Sequence, residues 1–267
     1  MSNHLLRSRA PISDSNWKLL DDEARERLTP ALAARKLVDF SGPLGWERSA
    51  MNLGRVEEVP STPCDGVTAL QRRVLPLVEV RAEFEISRAE LRDDDRGADD
   101  ADLEALDVAA HRIAVAENTA VFHGWADASI AGIAEGTPHQ LDLGNAPDTY
   151  PRPVAAAVER LLSSGISGPY ALALGGEQYQ RVVQTAEHGG YPLLEHLGKI
   201  LDGPIVWTPG VKGAVVMSQR GGDFLFESGQ DLSIGYLDHD PEVVRLYLEE
   251  SFSFHVATPE AAVRLNA

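Results

Sequence analysis

Histidine and carboxylate side chains come close together at two places in the sequence, and both places could supply ligands for a metal ion. Glu187 and His188 are followed by a Gly-Gly-Tyr-Pro turn and then by Glu195 and His196, which would converge with them if the turn folds back. An Asp-His-Asp triplet at 238–240 lies at a second predicted turn. Histidines and carboxylates at turns are usually exposed to water. We therefore predict no metal site at either place.

A strongly acidic segment offers a third possible metal site. Residues 93–102 contain six aspartates around Arg96 and Gly97. A calcium-binding EF-hand loop needs Asp or Asn at alternate positions, then Gly, and a glutamate at its twelfth position. Because this segment has neither the spacing nor the glutamate, we predict a solvated acidic loop.

Motifs of known catalytic sites are absent from the sequence. It contains no G-x-G-x-x-G, Walker A, H-E-x-x-H, C-x-x-C or G-x-S-x-G string. The stretch from Gly165 to Gly168 is one residue short of a nucleophile elbow, and it follows a predicted helix although an elbow joins a strand to a helix. No general acid and base can be paired with each other. The chain is therefore predicted not to be an enzyme.

The charge balance narrows the range of partners. The 267 residues include 24 basic and 41 acidic ones, a net charge of -17. Proteins that bind nucleic acid rely on Lys and Arg to neutralise phosphates, so this balance argues against such a partner. Cys64 is the single cysteine, which is typical of a reducing compartment. With no signal-peptide pattern and no long apolar run, we expect a cytoplasmic protein without a membrane partner.

The elements that must position any site follow from hydrophobic spacing. Alternating apolar residues in Arg220–Tyr236 (RGGDFLFESGQDLSIGY) predict two short strands joined by a tight turn, and Val243–Val256 predicts a third antiparallel strand. Ser13–Leu28 predicts an amphipathic helix, followed after a kink at Pro30 by a second helical piece, and Leu103–Phe122 predicts the longest helix. That helix has Glu117 among its apolar positions.

Two further regions complete the outline. Residues 47–77 have strand character at both ends and few apolar side chains, so they predict either a solvated loop or an arm that packs on another subunit. Alternating helices and strands in residues 135–215 predict a compact α/β lobe inserted into the sheet domain. The overall class is α+β.

Several strings, in this order along the chain, resemble family 1 encapsulins, a linocin-like family of shell proteins. They are ARKLVDF with GPLGWE (Ala34–Glu47), GISGPY (Gly165–Tyr170), RGGDF and GQDLSIGY. The resemblance implies the fold of tailed-bacteriophage major capsid proteins. Its parts would be an N-terminal helix and the start of a peripheral domain (1–46), an extended arm called the E-loop (47–78), the peripheral domain with a long helix (79–134), an axial domain (135–215) and the peripheral-domain sheet (216–267).

In function, the resemblance implies a self-assembling icosahedral shell, or nanocompartment, of roughly 60 copies. The shell would enclose a dye-decolorising peroxidase or a ferritin-like protein, recruited by a short C-terminal targeting peptide. The residues implied to bind that peptide are Leu28, Leu32, Arg35, Asp39, Asp231 and Ile234. Helical spacing lets Leu28, Leu32 and Arg35 share a face, although the two leucines could equally be ordinary core residues. Pro30 could alter the docking groove.

The resemblance also bears on pores and cofactors. It implies pore-lining positions at His188, Gly189, Gly190 and Tyr191 on the fivefold axis, and at Asp93, Asp94 and Asp95 near the threefold axis. Carboxylates at such a pore would favour cations. Some relatives have a flavin-stacking tryptophan where this chain has Ala89. We therefore expect no bound flavin or other cofactor.

Three other functions are compatible with parts of the pattern. A bacteriophage or prophage major capsid protein would share the fold, but its interior must face DNA, which the acidic charge disfavours. A peptidase would need a catalytic triad, and a small binding module would not assemble.

Overall fold

A computed structural model of the chain describes residues 4–187 and 190–267. The helices are α1 (Asp14–Ala31), α2 (Arg88–Asp95), α3 (Glu104–His123), α4 (Ile133–Gly136), α5 (Pro151–Ser163), α6 (Gly176–Gln184) and α7 (Leu193–Leu201). The strands are β1 (Asp39–Ser41), β2 (Ala50–Glu58), β3 (Leu70–Pro76), β4 (Val78–Ser87), β5 (Gln140–Asp142), β6 (Tyr170–Leu174), β7 (Ile205–Trp207), β8 (Ala214–Ser218), β9 (Phe224–Ser228), β10 (Ser233–His239), β11 (Val243–Val256) and β12 (Ala262–Asn266). In the described residues, no helix is long and apolar enough to cross a bilayer.

The N-terminal helix begins as its sequence predicts but ends differently. The Ser13 hydroxyl caps α1 by accepting a hydrogen bond from the backbone N–H of Asn16 at 3.2 Å. The predicted second helical piece after Pro30 is wrong, because α1 runs through Pro30 to Ala31 and a 3₁₀ turn follows at Ala34–Lys36. Within the last turn of a helix, a proline removes only one hydrogen bond near the end of the ladder.

The long strand β11 is the centre of the first sheet. It pairs antiparallel with β4 on one side and with both β10 and β9 on the other, and β1 joins parallel to β9. The predicted hairpin between the strands of RGGDF and GQDLSIGY is therefore wrong. The 14 residues of β11 are long enough to pair with both strands in succession. Between them, the Gly229 N–H donates to the Ser251 carbonyl at 2.8 Å and keeps the connection on the sheet.

A single glycine in β10 is required by its neighbour across the ladder. Gly235 pairs with Tyr247, whose aromatic ring lies so close that a Cβ on Gly235 would be only 2.1 Å from it. The Tyr247 ring in turn packs under the Arg81 guanidinium, 4.6 Å from the ring centre. Any side chain at Gly235 would displace this stack.

The second sheet has the order β5-β12-β8-β6-β7, with α5, α6 and α7 packed on it. Every residue of β6 and β8 is buried, as expected of strands covered on both faces. The predicted assignment of all of 216–267 to the first sheet does not hold for residues 216–218, which are part of β8, or for β12, which pairs antiparallel with β8 and parallel with β5. The other proposed domain boundaries stay predictions.

The segment after β1 forms an arm with little core of its own. Strands β2 and β3 pair only with each other in a two-stranded sheet. Val56, Leu70 and Val74 are exposed on it, at 54%, 65% and 47%. An isolated two-stranded hairpin is marginally stable in water, so this arm has the character of an element that needs a partner.

Helix α3 packs on α1 and on β4 and β11, and it also ties the first sheet to the second. Asn118, fully buried on α3, accepts a hydrogen bond from the Ala34 N–H at 2.9 Å. Its amide donates to the carbonyls of Ala31 at 2.9 Å and Pro209 at 3.0 Å. One side chain therefore satisfies backbone groups at the end of α1 and in the loop after β7.

We expect Asn118→Ala to lower the free energy of unfolding by about 3 kcal/mol, because it leaves three backbone groups without partners. Chemical denaturation of the purified protein measures the change. Asn145→Ala, at an exposed position, is the matched control and should stay within about 0.5 kcal/mol of the unmodified chain. Equal stability of the two variants would show that the Asn118 contacts are dispensable.

Candidate functional site

A cavity of about 310 Å³ lies between α1 and the segment that leads into β10. Five of the six predicted peptide-binding residues line it, and the sixth, Asp39, does not. We call this cavity the groove. Its lining residues are Asp21, Ala24, Arg25, Leu28, Thr29, Leu32, Arg35, Asp231, Leu232, Ser233, Ile234 and Leu248.

The apolar residues of the groove differ in how far they are open to a ligand. Leu28 and Ile234 are only 6% and 1% exposed, and they belong to the core between α1, α3 and the first sheet. Leu32 is half-buried and packs at the margin of the same core. Leu28 and Ile234 therefore form the floor, whereas Leu32 is the predicted apolar residue that a ligand can cover further. Pro30 lines two other cavities, which Trp207 also lines, instead of the groove.

Arg35 is held by three carboxylates of the same chain. Its Nε donates to Oε2 of Glu117 at 2.7 Å, one terminal nitrogen donates to Oδ1 of Asp231 at 2.6 Å, and the other donates to Oε2 of Glu250 at 2.6 Å. A guanidinium has a rigid fork of donors that suits such multiple contacts. Because its donors are directed at protein groups, Arg35 organises the wall of the groove and does not point freely into it.

The contacts around Arg35 shift the pKa values of Arg35, Glu117 and Glu250. Burial alone would lower the pKa of Arg35, but Glu117, Glu250 and Asp231 outweigh it and raise that pKa. Burial raises the pKa of both Glu117 and Glu250, and the nearby Glu117 carboxylate raises that of Glu250 further, while Arg35 opposes both shifts.

Asp231 is the member of this cluster that faces solvent. Its side chain is 44% exposed, whereas those of Glu117 and Glu250 are fully buried. Its Oδ1 also accepts a hydrogen bond from the N–H of Leu232 at 2.8 Å, which fixes the carboxylate at the start of β10. A ligand in the groove would therefore meet a held, negatively charged group beside Leu32.

Asp39 has a different environment from the one that the resemblance implied. Its Oδ2 accepts a hydrogen bond from the backbone N–H of Gly222 at 2.7 Å, in the turn of the RGGDF string. Gly222 has a φ of 82°, a left-handed conformation that glycine adopts without strain. In this structure Asp39 stabilises that turn, away from the groove.

The predicted fivefold loop is described only in part, because His188 and Gly189 lie outside the described residues. Gly190 is an exposed residue with a φ of 81°. The Tyr191 ring lies 4.9 Å from the Lys199 ammonium on α7. The pore assignment of this loop stays a prediction.

The predicted threefold aspartates are at the end of α2. Asp93 forms an ion pair with Arg96, and Asp93 and Asp94 are both half-buried. Their backbone carbonyls accept hydrogen bonds from the N–H groups of Arg96 and Gly97, which close the helix. Their pore assignment also stays a prediction.

Asp95 contacts the start of α1. Its Oδ1 accepts hydrogen bonds from the hydroxyls of Ser13 and Ser15 at 2.7 and 3.1 Å and from the amide of Asn16 at 2.8 Å. These contacts join α2 to the capped end of α1, so Asp95 has a role within the subunit that its neighbours lack.

Side chains of the clusters that raised the question of a metal contact other side chains in the structure. The Glu187 carboxylate contacts Nδ1 of His196 at 2.9 Å. Arg245 contacts Asp238 at 2.7 Å and Asp240 at 2.6 Å. Over residues 4–187 and 190–267, no group of three or more His, Cys, Asp or Glu side chains could hold a metal ion.

Two buried carboxylates of the site, Glu117 and Glu250, were not predicted from the sequence. Glu117 gave a signal, because it occupies an apolar position of the longest helix. Glu250 gave none, since it lies in an alternating strand beside Glu249. Only the pairing of β11 with its neighbours brings it beneath Arg35.

Comparison with known proteins identifies relatives over nearly the whole chain. Residues 2–253 match a family described as "encapsulating protein for peroxidase". The type 1 encapsulin shell protein of Rhodospirillum rubrum is 48% identical over 270 residues, which cover 99% of this chain and 96% of the relative.

Two solved structures share the fold. A virus-like particle from Pyrococcus furiosus has a TM-score of 0.64 at 18% identity, with 92% of this chain and 98% of that one covered. The capsid of Myoviridae phage XM1 has a TM-score of 0.51 at 11% identity, with 85% and 88% covered. At such identities the likeness concerns the fold alone.

We expect Arg35→Lys to lower the free energy of unfolding by about 3 kcal/mol, because one ammonium cannot replace three directed contacts and leaves buried carboxylates unpaired. Chemical denaturation measures the effect. Arg25→Lys is the control on the rim of the same groove, where the side chain is 71% exposed, and it should change the stability by less than about 0.5 kcal/mol. Similar losses in the two variants would contradict a structural role for Arg35.

Proposed function

The chain belongs to the family of encapsulin shell proteins, and we propose that about 60 copies of it assemble into one closed icosahedral compartment. Its α+β fold is that of tailed-bacteriophage major capsid proteins. In this proposal the arm of β2 and β3 is the E-loop, residues 79–134 and the first sheet form the peripheral domain, and the second sheet with its helices forms the axial domain.

The exposed arm supports assembly. A two-stranded sheet with two exposed valines and an exposed leucine has too little core to be stable alone. A neighbouring subunit would cover those side chains and satisfy the free strand edges. The proposed shell therefore accounts for an element that the isolated subunit leaves uncovered.

The purified protein should elute as a particle of roughly 1.7 MDa, the mass of about 60 copies of a 28.9 kDa chain. Electron microscopy should show closed shells of one diameter. Shortening the arm by replacing residues 54–72 with a tight turn should give small oligomers that keep the helical signal of the full chain. A full-length protein that remains monomeric would overturn the proposal, and packaged nucleic acid would favour a phage-type capsid instead.

The groove supports a second part of the proposal, the docking of a cargo protein. We propose a peroxidase as cargo, because the family is described as encapsulating one, with a ferritin-like protein as the alternative. A short C-terminal peptide of the cargo would place an apolar side chain against Leu32 and a hydrogen-bond donor or cation near Asp231. The observation that carries this proposal is the position of Leu32 and Asp231 on one cavity whose floor is already core.

The shell itself would be structural and not catalytic. Its relatives are named shell proteins, and the groove contains no nucleophile paired with a base among the residues that line it. The proposed pores, at 188–191 and at Asp93, Asp94 and Asp95, would let small substrates reach an enclosed enzyme. A cytoplasmic location fits the exposed, unpaired Cys64.

Leu32→Gln should reduce the cargo per shell about tenfold, the loss expected when a leucine contact worth about 1.5 kcal/mol is removed. Asp231→Asn, which keeps the shape of the side chain, should reduce it similarly. The measurement is peroxidase co-purified with assembled shells, using cargo with and without its C-terminal peptide.

Leu162→Gln is the matched control. Leu162 is 59% exposed on α5, a helix that packs on the second sheet and does not line the groove. It should leave the amount of cargo unchanged. Shells of Leu32→Gln and Asp231→Asn that assemble and load normally would show that the peptide binds elsewhere.

A further inference from the structure

Two carboxyl groups converge on one guanidinium beneath the groove. Glu117 projects from α3 and Glu250 from β11, both are fully buried, and both are held by Arg35. Arg35 donates to the Oε2 atom of each. The Oε1 atoms of both are buried and have no donor among the protein groups. Two ionised carboxylates held on one guanidinium repel each other, and a proton on the pair removes that repulsion.

The charges that face the pair cannot neutralise two ionised carboxylates. Arg35, from the turn after α1, supplies one positive charge. The same guanidinium also pairs with Asp231, from the segment before β10. The ring centres of Phe40 on β1 and Phe226 on β9 lie 5.1 and 5.7 Å from the guanidinium carbon of Arg35, and neither ring adds a charge. Full ionisation would place three negative charges around one positive charge, two of them out of contact with water.

We propose that Glu117 and Glu250 share one proton, and that loss of this proton as the pH rises loosens the packing of α3 against β11 and the wall of the groove. The proton leaves to solvent, and the two carboxylates that remain repel each other where α3 packs on β11. The effect on stability follows from the subunit structure alone, whereas the effect on docking rests on the proposed function.

The sign of the pH dependence follows from the direction of the shifts. Burial raises the pKa of Glu117 and Glu250 above the value that each has in the unfolded chain. The shared proton therefore stabilises the folded state fully below the unfolded pKa of a glutamate, and this stabilisation is lost as the pH rises through the folded pKa.

The test uses assembled shells of the full chain and the variant Glu250→Gln. The amide N–H₂ of glutamine can donate to Glu117 and so replaces the shared proton at every pH. In thermal melts between roughly pH 5 and pH 9, we expect the melting temperature of the unmodified shells to fall by about 3 °C per pH unit, which is the effect of one proton on a domain of this size. The melting temperature of Glu250→Gln should lack this slope.

Asp223→Asn is the control. Asp223 is 3% exposed and pairs with Arg220 at 2.8 Å, without a second carboxyl group in contact. It should lower the melting temperature but keep the slope of the unmodified protein. The proposal fails if Glu250→Gln keeps that slope as well.

A second measurement does not depend on how well a variant folds. Infrared spectra of unmodified shells at neutral pH, with and without ¹³C-labelled glutamate, should show the carbonyl band of a protonated carboxylic acid. That band should disappear at alkaline pH and in Glu117→Gln, whose amide replaces the proton from the other side. Absence of the band at neutral pH would overturn the shared proton.

The effect on docking is tested by measuring the affinity of the cargo's C-terminal peptide for the same shells as a function of pH. Affinity should fall as the pH rises in the unmodified protein and stay constant in Glu250→Gln. If the peptide binds at no pH while the melting slope still disappears in the variant, the proposed docking function fails and the shared proton stands. If it binds equally at every pH, the link between the pair and the groove is wrong.

Discussion

The half-buried guanidinium of Arg35 makes the contacts on which the arrangement of the groove depends. It joins the turn after α1 to α3, to β11 and to the segment before β10, four elements that are distant in the sequence. Removing such a charge from water is unfavourable, and only well-placed carboxylates offset that penalty. The structure supplies three of them, with Phe40 and Phe226 packed nearby. The end of α1 is therefore held in one position relative to the sheet.

This constraint explains why a groove exists beside a well-packed core. Helix α1 covers the part of the first sheet where Leu28 and Ile234 are buried. The helix ends at Ala31, a 3₁₀ turn then places Ala34 and Arg35, and Leu32 between the two is left only partly covered. An uncovered apolar side chain next to a held carboxylate, Asp231, is a small amphipathic surface of the kind that short extended peptides recognise.

The secondary structure that depends on local spacing could be predicted well from the sequence. The cap at Ser13, the helix that became α3 and the strand that became β11 each follow from patterns within one segment. The pairing of β9 and β10 could not be predicted in this way, because a glycine between two short strands is compatible with a hairpin or with two successive partners on a longer strand. Likewise, nothing local indicates that β12 returns to the second sheet.

The candidate site shows the same division between local and distant information. The resemblance implied Leu28, Leu32, Arg35, Asp231 and Ile234, and helical spacing agreed only that the first three can share a face. In the structure α1 ends at Ala31, so Leu32 and Arg35 follow the helix instead of belonging to it. Neither source predicts that Arg35 is fully engaged by its own subunit, since this depends on Glu250, 215 residues away. Glu117 was the one clue, a carboxylate among apolar positions. A charged residue at such a position implies a partner of opposite charge in the core, and here that partner connects the core to the surface where a ligand would bind.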